Sequence, residues 1–350
     1  MTAASRALLA LARRGKAGAV LAARLDVLRA GVRRGADVVE VPGRHELYRE
    51  LWERTGAAVE DLGSGFLALR RDGRRVVVHD NQVPLDDPVT LALAADKAQS
   101  RALLEAAGLA VPRQATCAVD GLGPAMRFLA EAGGPVVVKP AAGTGAGLGV
   151  TCGVRTADEL RRAAVRAARW GRSLVVEDQA EGDELRVLVL DGRVLGAVRR
   201  RPPRVVGDGR STVAALVAVE NARRVAARGR LGLWLLSLDL DAVLALDRQG
   251  LSPRSVPEAG RVVEIGATAN ENGPADNETA EVPAAVEAAA RAASAAVGLR
   301  LASVELVGGS IVEVNGTPGL HYHTQVADPA GAVDVFGPVL DTLFAQEPPA

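Results

Sequence analysis

PVVVKPAAGTGAGLG, residues 135–149, sets an apolar β-branched run directly against a glycine-rich loop. Val136–Val138, bounded by Pro135 and Pro140, have the pattern of a short buried strand, which Lys139 closes. A lone lysine in an apolar run is costly unless its charge meets an anion. The glycines of GTGAGLG (143–149) stand at alternating positions and let the main chain approach a phosphate that a Cβ would block. The loop matches neither GxxxxGK[ST] nor GxGxxG, so a purely structural glycine turn stays open as the alternative.

Downstream, Thr156 and Glu159 have capping-box spacing for a helix running to about Trp170, stopped by Gly171. Leu174–Glu177 is a second apolar strand. Leu185–Leu190 pairs with Arg193–Val198 across the turn signal Asp191-Gly192. Pro283 opens a helix that Gly298 ends, and a last hairpin joins 301–307 to 310–314. Upstream, Asp96 and Gln99 stand in cap-like spacing, which puts Lys97 in a first helical turn. Two alternating runs around Asp72-Gly73 predict a hairpin over 65–78, Arg44–Thr55 reads as a helix ending near Gly56, and the first forty residues read as a charged helical lead. Strands and helices alternate, so the class is α/β (α+β) with substantial antiparallel sheet.

Joining a carboxylate to an amine in neutral water requires converting the carboxylate to an acyl phosphate, and so requires a triphosphate site. Such a site needs main-chain donors, a cation and acidic ligands for magnesium. In IVEVNGTPG (311–319), Glu313 and Asn315 lie two apart on a strand and face one side, a donor pair suited to a hard divalent cation. Glu305 on the partner strand completes the set only under one register. A two-residue Gly308-Gly309 turn puts it opposite Val312, whereas a three-residue loop through Ser310 puts it opposite Glu313. Solvated polar residues on a hairpin are the other reading. Glu184 and Arg186 are again spaced by two; either they form a solvated edge, or Glu184 holds ribose hydroxyls and Arg186 an anionic group. His321 and His323 have no transition-metal spacing and are expected to line the substrate end.

Composition narrows the field. Lys plus Arg equals Asp plus Glu at 42 each, which gives no net basic field for nucleic acid. Cys117 and Cys152 form neither a disulfide framework nor a zinc pattern, and the apolar stretch 7–12 is cut short by Arg13, Arg14 and Lys16, so a reducing cytoplasm with no membrane segment is expected. Of the 42 basic residues only Lys16, Lys97 and Lys139 are lysines, which singles out positions where a compact ammonium is wanted.

In their order along the chain, Lys97, Lys139 with its glycine loop, VVED at 175–178 and EVNGTPG at 313–319 resemble the ATP-grasp superfamily from about residue 90 onward. Within it the likeness is to the ATP-grasp region of cyanophycin synthetase and the bifunctional glutathione synthetases, with 204–216, 249–260 and 267–273 resembling that region's middle stretch. The resemblance implies an ATP-grasp fold, two α+β subdomains clasping ATP: a short N-terminal domain over 1–90, a lid over 91–173 that closes on the reacting groups, and a metal-bearing subdomain over 174–345.

It further implies that Lys97 and Lys139 bind ATP phosphates together with Gly143, Thr144, Gly145, Gly147 and Gly149 of the loop. Glu177, Asp178 and Gln179 would hold adenine and Glu184 ribose, while Glu305, Glu313 and Asn315 would bind two Mg²⁺ ions, with Mn²⁺ as a substitute. Arg186, Arg200, Asn270 and His323 would serve the acyl phosphate and the amine. The loop carries no basic or histidine side chain and Glu305 stands where an aspartate is usual, so main-chain groups and Thr144 take on more of the phosphate binding. The Mur-ligase-like domain and longer N-terminal region of cyanophycin synthetase are not found in these 350 residues, which points to a single ligation rather than polymer synthesis. The implied activity is an ATP-dependent carboxylate–amine ligase for amino acids or a short peptide, and because related ligases are often dimers the resemblance points to a homodimer. A catalytically silent ATP-binding scaffold and an ATP-grasp phosphotransferase remain as alternatives.

Overall fold

The computed structural model describes residues 3–29, 43–142, 144, 147–228, 230, 233–269 and 272–345. The chain opens with helices α1 (Ala3–Ala12) and α2 (Lys16–Arg29), then α3 (Arg44–Glu53) and the meander β1 (Ala58–Gly63), β2 (Phe66–Arg71), β3 (Arg74–His79). The turn between β2 and β3 is Asp72-Gly73, both at positive φ, as two-residue hairpins require. The part of the charged lead over 30–42 lies outside the described residues. Next come α4 (Pro88–Ala95) and α5 (Lys97–Ala106), whose first turn is capped by Asp96 accepting from the N–H groups of Ala98 and Gln99.

A four-stranded antiparallel sheet follows, in the order β4-β7-β5-β6, built from β4 (Gln114–Ala118), β5 (Val136–Pro140), β6 (Thr151–Val154) and β7 (Ser173–Asp178), with α6 (Gly123–Glu131) and α7 (Ala157–Ala167) on one side. Thr156 and Glu159 close the capping box of α7, where replacing a threonine cap typically costs about 1 kcal/mol. Alternation divides each strand between two environments. Val136 and Val138 of β5 and Leu174 and Val176 of β7 enter one core with α7, whereas Val137, Lys139 and Glu177 face the opposite side.

The second sheet is antiparallel in the order β12-β9-β8-β13-β14. Its strands are β8 (Glu184–Leu190), β9 (Arg193–Arg200), β12 (Asn277–Ala280), β13 (Leu301–Val307) and β14 (Ser310–Asn315). Between β9 and β12 lie β10 (Arg204–Val206), α8 (Val213–Ala226), α9 (Leu240–Arg248) and β11 (Val262–Glu264); α10 (Ala284–Val297) leads into β13, and α11 (Phe336–Ala345) closes the described chain. With β8 in the middle, both faces of the sheet are covered. Val187, Val189, Ala302 and Val304 pack under α10, while Leu188, Leu190 and Leu301 pack against α3, α11 and the meander. Towards one end of that second face the apolar residues give way to Glu184, Arg186, Ser303 and Glu305.

These packings redraw the expected division of the chain. β7 hydrogen-bonds to β4 and β5, so a boundary after residue 173 cuts a sheet that continues through Asp178. The span 1–90 is not one unit either. Leu8, Leu9, Ala19 and Ala22 of α1 and α2 are buried against the α7 core, while Tyr48, Leu51 and Trp52 of α3 join the core of the five-stranded sheet. Among the described residues no helix is long and apolar enough to cross a membrane.

Candidate active site

The two sheets face each other across a cavity of about 600 Å³. The four-stranded sheet contributes Val137, Lys139 and Glu177; the other contributes Glu184, Arg200, Glu305 and Glu313, and Lys97 reaches in from α5. A cavity of this size suits a ligand of nucleotide dimensions. Thr144 and Gly147 of the glycine loop line it, as do Asp178 and Gln179 of the connection between the sheets.

Each predicted cation is met by a predicted acid. Lys139 Nζ lies 2.6 Å from Glu177 Oε1, with both side chains buried. Lys97 Nζ lies 3.1 Å from Glu313 Oε1, joining residues 216 positions apart. Arg200 reaches Glu184 at 2.9 Å and Glu305 at 3.6 Å and donates to the Ala269 carbonyl at 2.7 Å. The Glu313 carboxylate beside Lys97 holds that ammonium above its ordinary pKa, against the effect of burial. Burial alone would push the Glu313 carboxyl up, but Lys97 and Lys139 together keep it below the usual carboxylate range. Burial would likewise lower the Arg200 guanidinium, and Glu184 and Glu305 outweigh it. Lys97 and Arg200 therefore stay charged within a largely desolvated wall.

Glu305 stands opposite Glu313, but not by the route that turn length alone suggested. The turn is the two-residue Gly308-Gly309 with Val307 paired to Ser310, which should align Glu305 with Val312. A bulge at Val312 absorbs one residue, so Leu306 pairs with Ile311 and Glu305 with Glu313. The bulged Val312 lines the cavity. A purely solvated hairpin is excluded, because Glu305 is buried and both carboxylates are paired. A solvated edge at Glu184 and Arg186 is excluded too, since β8 is the middle strand.

Four predicted site residues do not line the cavity. Arg186 spends its terminal nitrogens on Glu305 at 3.2 Å and Ser303 at 3.1 Å, so it holds the Glu305 carboxylate from behind the cavity wall. Asn315 turns its Oδ1 to the Thr317 N–H at 2.8 Å. Gly149 is packed so closely that a Cβ would come within 2.7 Å of Trp170 and 2.8 Å of Pro140, which makes it a packing glycine. His323 is buried, and neither ring nitrogen has a hydrogen-bond partner among the described residues. Burial, with Arg186 and Arg200 nearby, pushes its pKa down to about 3, so it is neutral at physiological pH. Gly143, Gly145 and Asn270 lie outside the described residues.

Several wall residues were not anticipated. Val137 and Val307 could have been found by alternation, being two residues from Lys139 and Glu305 on their strands. Cys152 and Val150, which extend the apolar wall, carried no such signal. Gln179 does more than line the connection: its Oε1 accepts from the Gly153 N–H at 2.6 Å, tying it to the strand that leaves the glycine loop. Tyr322 lies under both guanidiniums, its ring centroid 4.9 Å from Arg186 Cζ and 5.0 Å from Arg200 Cζ.

Among the described residues no three His, Cys, Asp or Glu side chains converge as a preformed metal cage. Glu305 and Glu313, side by side at the cavity wall, nevertheless form a donor set of the kind magnesium takes, one or two carboxylates completed by water and phosphate oxygens. Lys97 and Lys139 bring two ammonium groups to the same cavity.

Residues 103–207 match the family model described as D-ala D-ala ligase C-terminus. The chain is similar to cyanophycin synthetase of Nostoc sp. (strain PCC 7120 / SAG 25.82 / UTEX 2576), 35% identical over 272 residues, covering 73% of this chain and 30% of that one. It is also similar to the glutathione biosynthesis bifunctional protein of Pasteurella multocida (strain Pm70), 29% identical over 239 residues, 67% of this chain and 31% of that one. A crystal structure of a bifunctional glutathione synthetase from Pasteurella multocida superposes with a TM-score of 0.53 at 24% identity, covering 86% of this chain and 44% of that one. The chain thus spans under a third of the length of these curated relatives.

Proposed function

The chain belongs to the ATP-grasp superfamily, and on that premise we propose that it is an ATP-dependent carboxylate–amine ligase acting on an amino acid or short peptide. The observation that carries this reading is the single cavity that collects Lys97, Lys139, the glycine-loop residues Thr144 and Gly147, and the facing carboxylates Glu305 and Glu313. A carboxylate oxygen of the substrate attacks the γ-phosphorus of ATP, releasing ADP and leaving an acyl phosphate. An amine then attacks the acyl carbon, expelling inorganic phosphate and losing a proton.

Lys97 and Lys139 neutralise the phosphates, and Thr144 with the loop main chain supplies donors. Glu305 and Glu313 would hold two Mg²⁺ ions, which when bound balance charge on the transferred phosphoryl group. Glu177–Gln179 and the valines around them would receive the base, and Glu184 the ribose. Arg200 stands at the substrate end. The elements from Gln114 to Asp178, carried on the four-stranded sheet, would close as a lid and exclude water from the acyl phosphate.

The test is ADP release by the purified protein with Mg²⁺-ATP against pools of amino acids and dipeptides, with mass spectrometry of products. ADP together with an amide-sized mass gain is expected; a stable phosphorylated product without amide, or no ADP in any pool, would count against the ligase. Lys139→Met should weaken turnover by about a hundredfold through lost charge at the phosphates. It should also destabilise the fold, since Glu177 would be left buried and unpaired, a change that typically costs about 3–5 kcal/mol.

A further inference from the structure

Tyr48, His321 and Tyr322 form a column of rings running from α3 to the two guanidiniums beside Glu305. Tyr48 is fully buried on α3, and its hydroxyl lies 3.0 Å from His321 Nδ1 across 273 residues of sequence. The two rings meet edge-on at 5.7 Å, and the His321 ring lies on Tyr322 at 4.2 Å. Arg186 and Arg200 both stand over the Tyr322 ring.

Each guanidinium is fixed in its own plane by hydrogen bonds and ion pairs, to Glu305 and Ser303 for Arg186, and to Glu184 and Ala269 for Arg200. Contacts at the edge of a planar fork leave its tilt free, and a ring against its face restricts that tilt. The Nε of each is buried without a described acceptor, so no further hydrogen bond supplies this constraint among the described residues. Burial holds the Tyr48 phenol protonated, and burial with the neighbouring arginines Arg44, Arg186 and Arg200 keeps His321 uncharged. The Tyr48–His321 bond is therefore one between neutral groups, insensitive to pH over the physiological range.

We propose that Tyr48, His321 and Tyr322 are positioning residues for the arginine pair, so that α3, far from the cavity in sequence, sets where Arg200 stands at its substrate end. The kinetic consequence rests on the ligase reading; the ring contacts do not.

Three variants test this. Tyr48→Phe removes the hydroxyl and keeps the ring against Phe336, Tyr322→Leu removes the aromatic face, and Tyr322→Phe retains it. The readouts are ¹H–¹⁵N spectra of the arginine Nε–H groups, calorimetric titration with Mg²⁺ and a non-hydrolysable ATP analogue, and ADP release against the carboxylate substrate. In Tyr322→Leu, and to a smaller extent in Tyr48→Phe, the ring-shifted Arg186 and Arg200 signals should move toward those of exposed arginines. The KM for the carboxylate should rise about tenfold, the size of effect a slightly misplaced positioning group produces. Analogue affinity should fall by no more than that, since Arg186 and Arg200 also hold Glu305 and Glu184, with thermal stability kept. Tyr322→Phe should restore both signals and KM relative to Tyr322→Leu. Unmoved arginine signals in both disruptive variants would overturn the proposal. So would a fall of analogue affinity and thermal stability together with a rise in both KM values, which is the mark of general loosening. If the wild-type protein releases no ADP, the ligase reading fails, while the arginine signals and the analogue titration still decide the column.

Discussion

His323 is a titratable group whose ring has no hydrogen-bond partner among the described residues: buried, uncharged, and next to two guanidiniums that oppose its protonation. Its folded pKa of about 3 lies below the 6.5 of a free imidazole, so below pH 6.5 the unfolded chain takes up a proton that the native state refuses. Its contribution to stability is therefore complete above pH 6.5 and lost as the pH falls toward 3. Chemical unfolding at successive pH values should show this loss at about 1.4 kcal/mol per pH unit below the free value. His323→Leu should remove that share of the acid sensitivity; an unchanged slope would mean that the imidazole is charged in the native protein. At this scale the sequence was informative about identities and silent about partners. Lys97 and Lys139 could be singled out by their scarcity, but the fact that Glu313 and Glu177 take them, and that Arg186 turns inward to Glu305, depends on which strands become neighbours.

The β13–β14 hairpin shows how an element can depend on one atom of space. Gly308 lies at φ 55, and a Cβ there would fall 2.0 Å from the Glu181 carbonyl oxygen, on the segment that lines the cavity. Gly309, also at positive φ, has open space around its Cβ position. Gly309→Ala should therefore lose only the left-handed conformational cost of about 1–2 kcal/mol. Gly308→Ala adds a backbone clash, and should lower the urea midpoint well beyond Gly309→Ala and weaken nucleotide binding as residues 181–184 shift. Equal losses for the two would show that the contact with Glu181 is not maintained in solution. The strands, turns and caps of these elements followed from alternation, Asp-Gly signals and the Thr156 box. The bulge at Val312 did not, because register is set by the faces that the neighbouring strand β8 and the overlying helix must bury, and a turn of two glycines leaves it free.

For the molecule as a whole, the first two helices belong where sequence position would not put them. Leu8 and Leu9 of α1 and Ala19 and Ala22 of α2 pack into the core beneath α7, so the start of the chain supports the four-stranded sheet across more than a hundred residues. Leu8→Ala should accordingly cost about 2–5 kcal/mol in unfolding free energy. Native-state hydrogen exchange should place the loss in α7 and β5, with β8 and β13 spared; a uniform rise in exchange would show that the two sheets unfold as one. Helical propensity announced α1 and α2, but docking a small-residue face onto a distant helix leaves no periodic mark. The placement of lysines has a practical side as well. Lys139 is followed by Pro140, a bond proteases resist, and Lys97 begins α5 with its ammonium turned into the cavity. A lysine-specific endoprotease thus has two bonds left, Lys16–Ala17 in α2 and Lys97–Ala98 at the cavity wall, and slower scission at the second on adding nucleotide would gauge how tightly it draws the two halves shut.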